Sequence, residues 1–209
     1  MTPTGTKRHI HTGRGFLFVV LILLVAPLLA AVDSYRFTYT NPSIGNSNAP
    51  FILEYYSLVD CEPCAHFETL LLQPILEIVA SGELRIIFRD IFPSDESLAE
   101  SLVLFCLQEY PDYIHYRTSG KLKRQFDSRN LPPLHGKPAH RFTQCLDNKS
   151  GISILTHNQE SFEARHLSGT PSFVLSYSHR SKPIGTTLSG LITADDLRAA
   201  MDALKMRSQ

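Results

Sequence analysis

Phe51-Ile52-Leu53-Glu54-Tyr55-Tyr56-Ser57, followed by Leu58-Val59-Asp60 and then Cys61-Glu62-Pro63-Cys64-Ala65-His66-Phe67, is the stretch on which the fold turns. Its first seven residues are rich in aromatic and branched side chains and read as a strand. Beyond Cys61 the period changes. Phe67, Leu70, Leu71, Ile75 and Ile78 recur at helical spacing, Ser81-Gly82 ends the run, and Pro74 inside it predicts a kink. Leu84-Arg85-Ile86-Ile87-Phe88-Arg89-Asp90 then reads as a second strand, apolar enough to be central. Strand, helix, strand is a right-handed crossover that builds a parallel pair.

From about residue 95 to 167 the pattern is helical and loop-like. Leu98, Leu102 and Phe105 share a face of the first helix, Pro132, Pro133, Gly136 and Pro138 break the middle, and further helices are expected over 139–147 and 152–166. Strands near Ser172–Tyr177 and Pro183–Leu188 follow, then a helix from about Thr193 to Lys205, with Thr193 as its cap and Asp195 and Asp196 in its first turn. The order β-α-β, helical block, β-β-α predicts an α/β thioredoxin-like fold with a helical subdomain inserted between its halves, and a single domain over 51–205.

The ends of the chain differ in kind. Lys7, Arg8 and Arg14 precede residues 16–32, which are apolar throughout, and no acid occurs before Asp33. This reads as an export element, either a cleaved signal or an uncleaved anchor through 16–32, against the alternative of a buried core helix; both export readings place the remainder outside the cytoplasm. Residues 33–50, with Asn41, Pro42, Ser43, Gly45, Asn46, Ser47, Asn48 and Pro50, read as a tether. Lys+Arg and Asp+Glu balance at 20 each among 209 residues, so no global field favours nucleic acid as a partner.

The four cysteines, in an exported chain, are read as disulfides. Four permit three pairings; the spacing suggests a tight pair, Cys61 with Cys64, and a distant one, Cys106 with Cys145. Two residues between cysteines on a turn entering a helix let the sulfurs reach bonding distance. The first sulfur then faces unpaired backbone N–H groups and the positive end of the helix dipole, which stabilise a thiolate, while the second is shielded and resolves the mixed disulfide. Pro63 suits the helix start, where its missing N–H would be unsatisfied anyway. Zinc ligation is the competing use of C-x-x-C, but it normally needs two further ligands, and His66 is the only histidine near the motif. No metal is therefore expected. A purely structural Cys61–Cys64 bond is the other alternative. On the residues alone, Pro171 in Gly169-Thr170-Pro171 reads as an ordinary turn proline.

Three segments together carry a resemblance: Glu54-Tyr55-Tyr56-Ser57 with Cys61-Glu62-Pro63-Cys64-Ala65-His66-Phe67, Gly82 to Asp90, and Gly169-Thr170-Pro171-Ser172-Phe173. They resemble the active-site strand and helix, the second strand and the cis-proline loop of bacterial DsbA-like thiol–disulfide oxidoreductases, in the same order from about Asn41 to Leu204. The resemblance implies a cis Thr170–Pro171 bond that sets the Thr170 backbone beside the dithiol to pair with a substrate strand. It implies a catalytic Cys61–Cys64 couple needing no cofactor, and exported, thiol-bearing protein substrates. It also implies a membrane redox partner for recycling, a periplasmic or extracytoplasmic location, and a second disulfide between Cys106 and Cys145. The alternative for that last pair is two buried free thiols. Glu54 is implied as a buried carboxylate moving protons to or from Cys64, against a solvent-facing strand residue; His66 is a helix-surface residue or a tuner of Cys61.

The chain departs from the family at two places. Glu62 stands where the family usually has proline, and Leu58-Val59-Asp60 is one residue longer than usual. Asp60 and Glu62 flank Cys61 with negative charge, which opposes thiolate formation and predicts a weaker oxidant. Oxidation of exported proteins is the expected reaction. A disulfide isomerase or reductase of the same fold is the nearest alternative, and a non-catalytic peptide-binding or chaperone module is the alternative of another class.

Overall fold

The computed structural model describes residues 39–109, 113–118, 137–149, 151–179 and 182–209. The apolar run 16–32 and the breakers Pro132, Pro133 and Gly136 lie outside them. Among the described residues no helix is long and apolar enough to cross a membrane.

Five strands form one mixed sheet: β1 (Ser43–Ile44), β2 (Phe51–Ser57), β3 (Leu84–Asp90), β4 (Ser172–His179) and β5 (Lys182–Ser189), in the order β1-β3-β2-β4-β5. β2 and β3 are parallel, with Phe51 opposite Leu84 and Ser57 opposite Asp90; β4 lies antiparallel to β2, with Tyr55 opposite Phe173, and β5 returns antiparallel to β4. β3 is interior as expected, between β1 and β2, and β2 is the middle strand. On β3 only one face is deeply buried: Leu84, Ile86, Phe88 and Asp90 point inward, alternating with half-buried Arg85, Ile87 and Arg89. The segment read as a tether contributes β1, which pairs with β3 at Ser43–Ile87 and Ile44–Ile86. Gly45 ends that strand at φ 109°, where a Cβ would come within 2.6 Å of the Leu84 carbonyl oxygen, so the close approach of the chain requires glycine.

The helix after Cys61 is α1 (Glu62–His66), a π-helical turn (Phe67–Leu71) and α2 (Leu72–Ala80). Pro74, where a kink is expected, lies in the first turn of α2, where a proline's missing donor is tolerated; the wider turn ends three residues before it and is closed by the Leu72 N–H on the Phe67 carbonyl. The inserted block holds α3 (Asp95–Cys106), a 3-10 turn (Leu107–Glu109), α4 (Tyr113–Thr118), α5 (Lys137–Asp147) and α6 (Ile152–Ala164). Pro138, read as a breaker, falls in the first turn of α5, the one part of a helix that tolerates it. The block ends at Ala164 instead of running to 166, because His166 adopts a left-handed φ of 53°.

Helix α7 (Ala194–Arg207) closes the chain with a reciprocal cap. Thr193 Oγ accepts from the Asp196 N–H at 3.2 Å while an Asp196 carboxylate oxygen accepts from the Thr193 N–H at 2.8 Å. The Thr193 N–H, and then the Thr193 hydroxyl, which donates to the same carboxylate oxygen at 2.7 Å, hold the Asp196 carboxyl below its ordinary pKa. Thr193→Ala is expected to lower stability by about 1 kcal/mol, read as a shifted midpoint in urea with an unchanged slope.

Two layers of packing follow from strand alternation. Phe51, Leu53 and Tyr55 of β2 point to the face covered by α1, α2 and α7, joining Phe67, Leu72, Ile75, Leu197, Met201 and Leu204 in the main core. Tyr56 points to the other face, with Val174, Ile91 and, from α6, Phe162.

Candidate active site

Cys61 ends the loop after β2 with extended backbone (φ −124°, ψ 104°) and caps α1; its Sγ accepts the Cys64 N–H at 3.1 Å. A backbone donor at a helix start holding that sulfur is the local arrangement that favours negative charge on it. Cys61 and Cys64 are joined by a disulfide, with Cα atoms 5.2 Å apart. Cys61 retains 8% of its surface and Cys64 none, so an incoming nucleophile can reach only Cys61. Pro63 lies in the first turn of α1, and both it and Glu62 are exposed; Asp60 is exposed on the other side of Cys61.

The loop before β4 closes over this sulfur. The Thr170–Pro171 bond is cis. The Thr170 hydroxyl donates to Cys61 Sγ at 3.3 Å, and the Thr170 carbonyl oxygen lies 3.6 Å from the same atom. Pro171 is buried, and its carbonyl accepts from the Gly190 N–H at 3.0 Å, tying the loop to the end of β5. Residues more than a hundred positions apart thus meet at one sulfur.

Glu54 is half-buried on β2. It shares the sheet face of Tyr56, opposite the one on which Tyr55 meets Phe67. Its carboxylate, 12% exposed, pairs with Arg89 at 2.6 Å and Arg165 at 3.4 Å and accepts from the Tyr56 hydroxyl at 3.1 Å. His66 is exposed on α1.

On the dithiol side lies a buried polar cluster that no sequence signal singled out. Arg117, from α4, donates from Nε to Glu68 Oε1 at 2.9 Å, from its terminal nitrogens to Asp90 Oδ1 at 2.6 Å and Oδ2 at 3.0 Å, and to the hydroxyl oxygens of Ser57 and Tyr113, both at 2.6 Å. Tyr55 donates to Glu68 at 3.0 Å, and Ser57 to Asp90 at 2.6 Å. The guanidinium carbon sits 4.6 Å from the Phe88 ring centre. Burial alone would lower the Arg117 pKa, but Asp90 and then Glu68 hold it well above its ordinary value, so the cation persists. Burial, reinforced by Glu68, pushes the Tyr55 phenol well above the usual range and keeps it a hydrogen-bond donor. Glu68 four residues after Cys64, within an apolar helix, was the one available hint; Arg117 sits in a polar stretch and gave none.

Cys106 and Cys145 form the second disulfide, joining the end of α3 to α5 with Cα atoms 5.8 Å apart, fully buried against Phe105 and Leu155. Among the described residues no group of His, Cys, Asp and Glu could hold a metal ion.

The family model described as Thioredoxin matches residues 38–203. Solved structures of the same fold include alpha-DsbA1 of Wolbachia pipientis, at 18% identity and a TM-score of 0.62 over 80% of this chain and 92% of that one. DsbA2 of Pseudomonas aeruginosa aligns at 14% identity and 0.58 over 78% and 92%. DsbA of Chlamydia trachomatis aligns at 16% and 0.57 over 82% and 94%. No curated protein sequence matches the chain.

Proposed function

Since this chain belongs to the thioredoxin family and has the DsbA-like form of its fold, with a helical block between the halves, we propose that it is an exported thiol–disulfide oxidoreductase that oxidises cysteines of other exported proteins. The fold and the Cys61–Cys64 disulfide match DsbA-type thiol–disulfide oxidoreductases. The observation that carries the reading is the asymmetry of the two sulfurs: Cys61 at the helix mouth, partly exposed and touched by Thr170, and Cys64 sealed behind it.

A client thiolate attacks Cys61 Sγ, the Cys61–Cys64 bond breaks, and Cys64 leaves as a thiolate. A second client thiolate then attacks the client sulfur of that mixed disulfide. The client gains its disulfide, Cys61 departs as a thiolate facing the α1 N-terminus, and two electrons have passed to the dithiol. Re-oxidation requires a disulfide or quinone-linked partner at the membrane, which an anchored or membrane-adjacent domain would suit. The Thr170 backbone supplies a short edge against which an extended client segment can pair. No cofactor enters the scheme.

One observation favours the isomerase or reductase reading. Asp60 and Glu62 are both exposed acids flanking Cys61, and their charge works against its thiolate. Titration of Cys61 by pH-dependent alkylation should therefore return a pKa below the free-thiol value of about 8.5 but clearly above the oxidase extreme of about 3.5; a value at that extreme removes the effect ascribed to the two acids. The reduction potential of the full-length chain, by equilibration with glutathione, decides direction: near about −120 mV it is an oxidase, near about −270 mV a reductase. Failure to accelerate insulin reduction at all would leave only the non-catalytic binding module.

A further inference from the structure

The two ends of the redox turn are held by one side chain from the inserted block. Ser57 closes β2 four residues before Cys61, and Glu68 lies in the π turn four residues after Cys64; Arg117 donates to both, and to Asp90 at the end of β3. All five of its N–H groups are used, in a plane stacked on Phe88. A Lys ammonium, with three rotating donors on a point charge, cannot span that set.

We propose that Arg117 is a positioning residue for the Cys61–Cys64 couple, a clamp by which the helical block sets the reduction potential of the dithiol. This rests on the oxidoreductase reading above. The stability of a disulfide reflects how closely the fold presents its two thiols to each other. Strand end and helix turn, fixed by one rigid planar group, keep Cys61 and Cys64 at bonding separation even when reduced. Loosening the clamp spreads them, so the disulfide forms less readily and the couple becomes more oxidising.

The experiment uses the full-length chain, its Arg117→Lys variant and, as a milder change, Ser57→Ala, which removes the hydroxyl between guanidinium and Asp90. Each is equilibrated with glutathione, and each is unfolded in urea in oxidised and in reduced form. The expected result for Arg117→Lys is a fall of about tenfold in the equilibrium constant for disulfide formation, ~30 mV toward a stronger oxidant. Ser57→Ala should move it the same way by a smaller factor of about three, and in both variants the oxidised form should lose more stability than the reduced. A network that merely supports the core would weaken both forms equally. Equilibrium constants within about twofold of the parent in both variants overturn the clamp; should Arg117→Lys not fold, Ser57→Ala decides alone. Insulin reduction by the unmodified chain separates the two proposals. An active parent with unmoved constants sinks the clamp only, and an inert parent with shifted constants sinks the enzymatic reading only.

Discussion

Cys61→Ala is expected to reduce catalysed thiol–disulfide exchange by at least about a hundredfold, to the rate of the unassisted dithiothreitol reaction in an insulin-reduction assay. The expectation follows from access. Cys64 has no exposed surface, so no client sulfur can reach it once Cys61 is gone. Cys64→Ala should behave differently. Cys61 remains at the helix start, still attacks a client disulfide, but cannot be released by its neighbour, so a covalent complex accumulates that non-reducing electrophoresis and mass spectrometry will show. Equal behaviour of the two variants, or retention of activity by Cys61→Ala, would contradict the assignment of attacking and resolving roles.

Removal of the second disulfide by combining Cys106→Ala and Cys145→Ala is expected to lower stability by about 4 kcal/mol, from the chain entropy released by a loop whose ends are 39 residues apart. Both sulfurs are buried beside Phe105 and Leu155, so each truncation also leaves a small cavity that adds to the loss. The change should appear in urea as a lowered midpoint, with a larger slope if the unfolded chain expands once the cross-link is gone. A loss below about 1 kcal/mol would mean that packing of α3 against α5 and α6, and not the covalent link, holds the block. Because the pair lies in the block and the reactive couple at the end of β2, insulin reduction by the folded variant should be retained.

What sequence determined and what it left open divide by range. Strand β2, the helix start at Cys61, the cap at Thr193 and the β-α-β, helices, β-β-α order all depend on periodicity and on groups within a few residues of each other, and they were legible. So was the tight cysteine pair, whose members are three positions apart. The role of Ser43–Ile44 was not, because a two-residue strand has no periodicity of its own and exists only by pairing with β3. Glu54, which the resemblance implies as a carboxylate serving Cys64, has ion-pair partners that no local rule gives: strand alternation sets it on the face of Tyr56, within reach of Arg89 and Arg165.

The Arg117 cluster is the fullest case of something only tertiary structure decided. Its contacts span 27 residues to Asp90, 49 to Glu68 and 60 to Ser57. No local rule marks an arginine in a polar stretch as fully buried; a guanidinium leaves water only where carboxylates, hydroxyls and aromatic faces converge to replace its hydration. That convergence is a property of the assembled sheet and its inserted helices, so sequence could place the two sulfurs but not the group that holds the ground beneath them.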